Sequence, residues 1–488
     1  MKSGRQSWGW KEALSARGYF GKRIRACRSL WLWSAVLALL CTLITYPGIF
    51  YSDSYVRVTT GHAVLSSVIQ TLKGRGTPLD TGNGFTLLPS FLMAFSIWLC
   101  GTVALYTFFQ AFLFFAAVLL LIREMNPGWR KTQYVLYACC PLIYGASVYY
   151  EAGVGCAAGI IFLILLFRRV PEEKSRAERT MEFFLVMLSA LLVFGYRTNA
   201  LTLLPVWLIW LLRLPAPKKR KASAVLALVC GTALVPIIPA VFQVRGLSNG
   251  MTGFVWEMLT TIQRMDETEG KAYQDYLDEV GGEGATRRAL ATSTGATSGG
   301  FIWGEDLGVA KLSAPGATGK ILKKYGRLIR EKPAEWLRVK TEFMGKTMGI
   351  GAPLDFTEYE YDCWGKMKEY GFNDSLQRKA FYDSVVWTCG TFSLFTGRPW
   401  VMFLLSLGLA MADGRRRKER RKLNAQVFQT ALFFYGAFLL VNVSFEVRFF
   451  YPALLLMMIA DGAILLDLLR DGKAFLQQRL MRTKEASN

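Results

Sequence analysis

The sequence predicts an all-α polytopic membrane protein of about ten transmembrane helices, with interfacial helices and one mainly helical extracytoplasmic domain. Three observations predict it. Of 488 residues, 52% are hydrophobic and only 19% are charged. The apolar residues fall in runs near the ~20 residues that a helix needs to cross a bilayer. Basic clusters punctuate those runs, as the positive-inside rule requires of cytoplasmic loops. A mean hydropathy of +0.26 argues against a disordered chain and against soluble domains with polar surfaces.

The expected spans are 30–50, 103–122, 132–150, 152–168, 181–196, 198–214, 222–243, 399–412, 424–445 and 449–469. Two further apolar stretches, 85–101 and 384–397, are ambiguous. The basic clusters resolve them. These are the N-terminus, Arg123 to Lys131, Arg168 to Arg179, Arg213 to Lys221, Arg415 to Lys422 and the C-terminal tail. All six share one side if ten segments cross and the two ambiguous ones do not. Both are therefore read as interfacial or re-entrant segments on the outer face, and both termini as cytoplasmic. The N-terminal basic segment is long and the first apolar run lacks a small-residue cleavage site after it, so that run reads as an uncleaved anchor.

The net charge of +22 is then mainly an orientation signal rather than a nucleic-acid footprint. Three regions follow. Residues 1–244 form an N-terminal membrane module of about seven spans. Residues 245–383 form an extracytoplasmic domain, and 384–488 a C-terminal module of about three spans. Between 245 and 382 there are 19 basic and 19 acidic residues, so the excess lies elsewhere. Within that domain, Lys320–Met344 reads as helical with Pro333 marking a break or a start. Gly281–Gly300 reads as a mobile loop. In the first outer loop, Val58, Leu65, Val68, Ile69 and Leu72 recur at helical spacing, which predicts a short helix lying on the membrane.

One histidine, His62, and nine cysteines without a CxxC pair nearly exclude a Cys/His zinc site. Five cysteines sit in apolar runs as small hydrophobes, and Cys363 and Cys389 are the pair able to meet outside the membrane. No internal repeat is evident.

Charges at span ends carry the chemical information, because a charge within a membrane costs about 2.5–3.5 kcal/mol on insertion scales. Five lie near outer span ends. Asp53 follows the first span, Glu151 separates spans three and four, and Arg197 spans five and six. Glu446 and Arg448 separate spans nine and ten. These three acids and two arginines on four hairpins would line one cavity at similar depth. Arginine would take an anionic head group there, and a carboxylate would deprotonate a hydroxyl. Arg57, His62 and Lys73 in the first outer loop join the candidate donor-binding residues.

This arrangement resembles the GT-C superfamily of membrane glycosyltransferases, which includes dolichyl-phosphate-mannose protein mannosyltransferases and the bacterial aminoarabinose transferases of lipid A. It is most similar to a poorly characterised bacterial branch with a YPG…D motif after the first span. Asp53 stands in the first outer loop and Glu151 in the second. An interfacial segment, Gly84–Gly101, precedes span two. Glu446-Val447-Arg448-Phe449-Phe450-Tyr451-Pro452 resembles the family's late E-x-R-Y-x-x-P run, and Arg197 matches a basic residue between spans five and six. The sequence departs from the family where the interfacial segment usually opens with His or Lys before Pro-Pro: here it reads Asn83-Gly84-Phe85-Thr86-Leu87-Leu88-Pro89. Arg197, Arg448 or Lys73 would have to supply that phosphate ligand.

The resemblance implies a glycosyltransferase in a bacterial plasma membrane. Its donor is a sugar on a polyprenyl phosphate. Its acceptor is a hydroxyl on a glycan, wall polymer, lipid or protein. Asp53 would be the general base, and in-line attack would invert the anomeric carbon. Glu151 would orient the acceptor or, with Asp53, hold a divalent cation such as magnesium or manganese. The neutral domain would cap the cavity and choose the acceptor, with Trp256, Trp303, Trp336 and Trp364 as candidate sugar-stacking residues. Two other classes of function stay open: a transporter or flippase of lipid or oligosaccharide, and a non-catalytic scaffold or sensor.

Overall fold

The computed structural model describes residues 28–49, 52–76, 78–81, 86–125, 130–148, 152–245, 249–293, 301, 304–354, 375–413, 418–441 and 444–487. Nearly all of this is helix. The main helices are α1 (Arg28–Ile44), α2 (Ser52–Leu72), α3 (Leu87–Cys100), α4 (Ala104–Met125), α5 (Arg130–Ala138), α6 (Pro141–Ser147), α7 (Ala152–Arg169), α8 (Arg176–Tyr196), α9 (Leu203–Arg213) and α10 (Lys218–Val241). They continue with α11 (Thr252–Arg264), α12 (Ala285–Thr292), α13 (Ala317–Glu331), α14 (Pro333–Thr347), α15 (Leu376–Thr391), α16 (Pro399–Asp413), α17 (Lys418–Leu440) and α18 (Val447–Ser487). Among the described residues the sheet is a two-residue parallel pair, Leu79–Asp80 with Val244–Arg245.

Among the described residues, four helical stretches are long and apolar enough to cross a membrane: Ala104–Met125, Lys218–Val241, Lys422–Leu440 and Val447–Asp471. Four shorter apolar stretches accompany them: Arg28–Ile44, Leu87–Cys100, Thr198–Arg213 and Pro399–Asp413. A membrane-associated helical protein is therefore what the fold supports.

The apolar helices bundle around α4. Phe114, Phe115, Ala116, Ala117 and Val118 on it are all buried, because a helix apolar on every side hides every side. α4 packs on α1, α7 and α18. Small residues set the closest approach between α7 and α8. A Cβ at Gly155 would stand 2.3 Å from Cε1 of Tyr196, and one at Gly159 would stand 2.8 Å from Cγ2 of Val193.

The bundle has two chemically different ends. At one, Arg169 pairs with Glu124 at 3.6 Å, and Arg220 Nη1 donates to the carbonyls of Pro171 and Glu172. The ends of α4 and α7 and the starts of α8 and α10 meet there with their basic residues. At the other end, Ile49 N donates to Val148 O and Thr107 Oγ1 donates to Pro47 O at 2.6 Å. The same end carries Arg197, Glu446 and Arg448, and it receives the neutral helical region. There Trp256 packs on Phe343 and Phe445, with ring centroids 4.5 and 5.1 Å apart. Tyr435 Oη donates to Thr347 O at 2.6 Å.

Several expectations change against this structure. The run 132–150 is not one helix. It is split into α5 and α6 at Cys139-Cys140-Pro141, because Pro141 lacks an N–H and opens a new first turn. Both halves are anchored to α18: Tyr137 Oη donates to Met458 O, and Tyr451 Oη donates to Leu142 O. The span 198–214 opens as a 3-10 turn, Thr198–Thr202, before α9 begins. The helix expected after the first apolar run, α2, is longer than its apolar pattern suggested, 21 residues from Ser52. In Gly281–Gly300, the expected loop contains α12, while 294–300 lies outside the described residues. Asp278 organises that helix: its carboxylate accepts from Gly284 N, Thr286 N and Thr286 Oγ1 at 2.7, 2.9 and 2.6 Å. Pro333 is the first residue of α14, as its fixed φ favours.

The segment 85–101 runs across the end of the bundle rather than along it. Thr86, before α3, donates to Tyr196 O at the end of α8. Ser96, near its other end, donates to Thr102 O and accepts from Tyr106 N at the start of α4. Both ends of α3 therefore touch the same end of the bundle. α2 lies alongside and in the same direction, with Arg57 beside Thr86 and Gly61 against Ser90 and Ala94. The segment 384–397 divides between α15 and the short helix Ser393–Thr396. Cys389 is buried as a free thiol on Leu142 and Val385, and Cys363 lies outside the described residues.

Candidate functional site at the Arg197 end

The site begins at the turn after α8. Arg197 has extended backbone, with φ −141° and ψ 111°, and ends the helix with its N–H bonded to Val193 O. The 3-10 turn that follows reverses the chain at once. The guanidinium is half-buried over the ring of Phe449, 5.0 Å from its centroid. Arg448 Cζ lies 5.2 Å from the same centroid. Two cations over one aromatic ring define an electropositive patch on a desolvated platform.

Glu446 tempers that patch. Its Oε2 lies 2.6 Å from Arg448 Nε, with the two side chains 18% and 17% exposed. Arg448 Nη2 donates to Oε1 at 3.3 Å, and Ser444 Oγ donates to the same oxygen at 2.5 Å. Glu446 is thus engaged with Arg448 and Ser444.

The second hairpin reaches the same patch. A Cβ on Gly153, two residues past Glu151, would stand 3.5 Å from Arg448 O, 3.7 Å from Pro452 Cγ and 3.8 Å from Arg197 Nη2. Any side chain at 153 would fill the space beside both arginines. Glu151 itself lies outside the described residues.

The segment after α1 arrives through Arg57, a buried arginine at 5% exposure. Its Nη1 donates to Thr86 Oγ1 at 3.3 Å, and Thr86 Oγ1 donates to Tyr196 O at 3.2 Å. Asp53 lies on α2 one turn before Arg57. Behind this line, Tyr196 Oη donates to Tyr106 Oη at 3.4 Å, Tyr106 Oη donates to Gln110 Oε1 at 2.7 Å, and Gln110 Nε2 donates to Ser147 O. This network joins α4, α6 and α8 beneath the arginines. It holds polar groups that the low dielectric would otherwise leave costly.

No family model, no curated protein and no solved structure matches the chain. The reading of the site therefore rests on its own residues.

The structure brings together Arg57, Arg197, Arg448 and Glu446, and places Gly153 and the start of α2 with them. It does not bring Lys73 there. Lys73 is exposed just past the far end of α2, about 30 Å of helix from Asp53 at 1.5 Å per residue. That end of α2 lies by α10, where Ser67 Oγ donates to Phe242 O. His62 is half-buried at mid-helix, nine residues beyond Asp53. Of the candidate stacking residues, Trp256 is fully buried against Phe343 and Phe445, and Trp336 Nε1 donates to Tyr325 Oη at 3.0 Å. Both are packing residues here; Trp303 and Trp364 lie outside the described residues.

Sequence reasoning missed Thr86, Tyr196, Tyr106, Gln110 and Gly153. One signal for the packing was present: Gly155 and Gly159 stand at the four-residue spacing that lets membrane helices approach closely. No spacing rule marks Thr86, whose role is set by the fold.

Proposed function

We propose that the chain is an integral-membrane glycosyltransferase of GT-C type. It moves a sugar from a polyprenyl-phosphate donor to an acceptor hydroxyl, with inversion. The observation that carries this reading is the convergence of arginines from separate hairpins. Arg197 and Arg448 stand over Phe449, with Gly153 leaving space beside them and Arg57 tied in through Thr86. In the same reading ten segments cross a bacterial plasma membrane, both termini are cytoplasmic, and the Arg197 end faces outward.

The chemistry follows from the residue types. The acceptor oxygen attacks the anomeric carbon while Asp53 takes its proton. The bond from that carbon to the phosphate oxygen breaks, and polyprenyl phosphate leaves. Arg197 carries the developing charge as a planar, permanently ionised donor. Arg448, already paired with Glu446, sets the local potential and the position of Phe449. A divalent cation, where used, would be held by Asp53 and Glu151 and would screen the departing phosphate.

The test is release of polyprenyl phosphate by purified protein in nanodiscs, across a panel of polyprenyl-phosphate sugars. Wild type and Asp53→Asn run side by side, with water as a slow acceptor. Release that falls at least about tenfold in the variant supports the reading. Equal release removes Asp53 as the base. Failure to bind any donor turns attention to transport of lipid or oligosaccharide, which the split crossing α5–α6 favours, since discontinuous helices line transport sites. Uptake into vesicles tests that second reading.

A further inference from the structure

At the basic end, opposite the site above, α8 and α10 flank a shallow cleft open to the surroundings. Arg179, Arg220 and Ser223 line its polar side, and Phe183, Val186 and Ala224 its apolar side. Glu182 also lines it, but its carboxylate is already paired with Lys174 at 2.5 Å. Arg220 is held in place through Nη1 alone, which donates to Pro171 O at 3.1 Å and Glu172 O at 2.7 Å. Its Nε and Nη2 make no hydrogen bond among the described residues, and neither does the guanidinium of Arg179. Two arginines with uncommitted donors, one of them pre-oriented by backbone carbonyls, face one cleft whose own acid is neutralised. That is a built anion site.

The surroundings identify the kind of anion. Beside the cleft, the exposed faces of the two helices are apolar: Met181, Phe184 and Leu188 on α8, and Leu226 and Val229 on α10. An anion joined to acyl chains fits both surfaces at once, with phosphate against the arginines and chains along the helices. A free phosphate would use only the first. We propose that this cleft binds the head group of an anionic phospholipid in the leaflet at the basic end. The site is independent of the transferase reading and lies at the other end of the bundle.

The test is native mass spectrometry of the full-length protein released from mixed micelles of phosphatidylglycerol and phosphatidylcholine with matched chains. Wild type retains phosphatidylglycerol about tenfold over phosphatidylcholine, because the choline cation of the latter offsets its phosphate and is repelled by the two arginines. Arg179→Gln abolishes most of that preference, and because the Arg179 guanidinium makes no hydrogen bond among the described residues, its loss leaves the fold intact. Arg213→Gln, a neighbouring basic residue outside the cleft, keeps the preference within about twofold. Millimolar glycerol 3-phosphate does not displace the lipid. The proposal is overturned if Arg179→Gln keeps the preference or if Arg213→Gln loses it equally, which would make it a diffuse charge effect. Displacement by glycerol 3-phosphate would overturn it too, by making the site one for free phosphate.

Discussion

Arg197 and Arg448 are separated by 250 positions in the chain and stand 5.0 and 5.2 Å from the centroid of one ring, that of Phe449. Arg448 is held in an ion pair by Glu446, at 2.6 Å. The two arginines should therefore fail differently when neutralised.

Arg197→Gln should lower donor turnover by about 10²–10³, the usual loss for one charge-stabilising donor. Arg448→Gln should also destabilise, by about 1–3 kcal/mol, because it strands a half-buried Glu446. Adding Glu446→Gln to it should restore stability and not turnover. Donor release and melting temperature, measured on all four proteins, separate the two effects. Equal behaviour of the two single variants would refute the division.

Asp53→Asn should cost about 10²–10⁴ in transfer rate, as for loss of a general base. Lys73→Gln should change it by less than about twofold, because some 30 Å of helix separates the two positions. A large loss in Lys73→Gln would mean that the donor reaches along the whole of α2.

The architecture was legible because membrane insertion writes it into composition. Each expected span contains helix, four stretches among the described residues are long and apolar enough to cross a membrane, and the basic ends of α4, α7, α8 and α10 meet at one end of the bundle. What was not legible depended on local chemistry. The break at Pro141 sits inside a run whose hydropathy is unbroken. The first turn of α2 lies ahead of the apolar repeat that begins at Val58, so its full length was not legible. Arg197 and Glu446 stood out because charge between apolar runs is rare. Thr86 and Tyr106 did not, because a hydroxyl near a span end is ordinary until the fold gives it a partner.

Gly61→Ala should disturb the site from a distance. Its added Cβ would stand 1.9 Å from Ser90 O, a backbone atom that cannot turn aside. α2 and α3 must part, at a cost of about 1–3 kcal/mol, and Arg57 should lose Thr86 one turn earlier. Gly436→Ala on α17, with open space around it, should be neutral or stabilising by up to about 1 kcal/mol. Melting temperatures of the pair test the contact, and unchanged stability in Gly61→Ala would rule it out.

Acid should loosen α12 before neutral conditions do. Burial pushes the Asp278 carboxyl up, but Thr286 and the Gly284 N–H outweigh it and hold the group below its ordinary value of 3.8. A lowered native value gives stability that is full above the unfolded value and lost as pH falls through the native one. Asp278→Ala should thus weaken local amide protection in 284–292 by about 1–3 kcal/mol at pH 7, and progressively less below about pH 4. Hydrogen exchange at the two pH values measures this. A difference that grows in acid would contradict the sign.

The sharpest stability test lies where the neutral helices meet the bundle. Glu257 on α11 is 2% exposed and pairs with Lys340 on α14 at 2.6 Å. Tyr325 Oη donates to its other oxygen at 2.5 Å, and Lys340 Nζ also donates to Leu440 O at the end of α17. Burial, and then the neighbouring Glu257 charge, push the Tyr325 hydroxyl well above its ordinary range, so it stays a donor at any working pH. Glu257→Gln removes the one charge that balances an ammonium at 12% exposure, and should cost about 3–5 kcal/mol. Replacing both partners, Glu257→Gln with Lys340→Met, should recover much of that loss, since no charge is then left unpaired. The recovery would be incomplete, because Leu440 O loses its donor and the helical layer loses its tie to α17. Thermal unfolding of the three proteins measures each step. If the double variant were no more stable than Glu257→Gln, the pair would not be the source of the stability, and the contact with Leu440 would be.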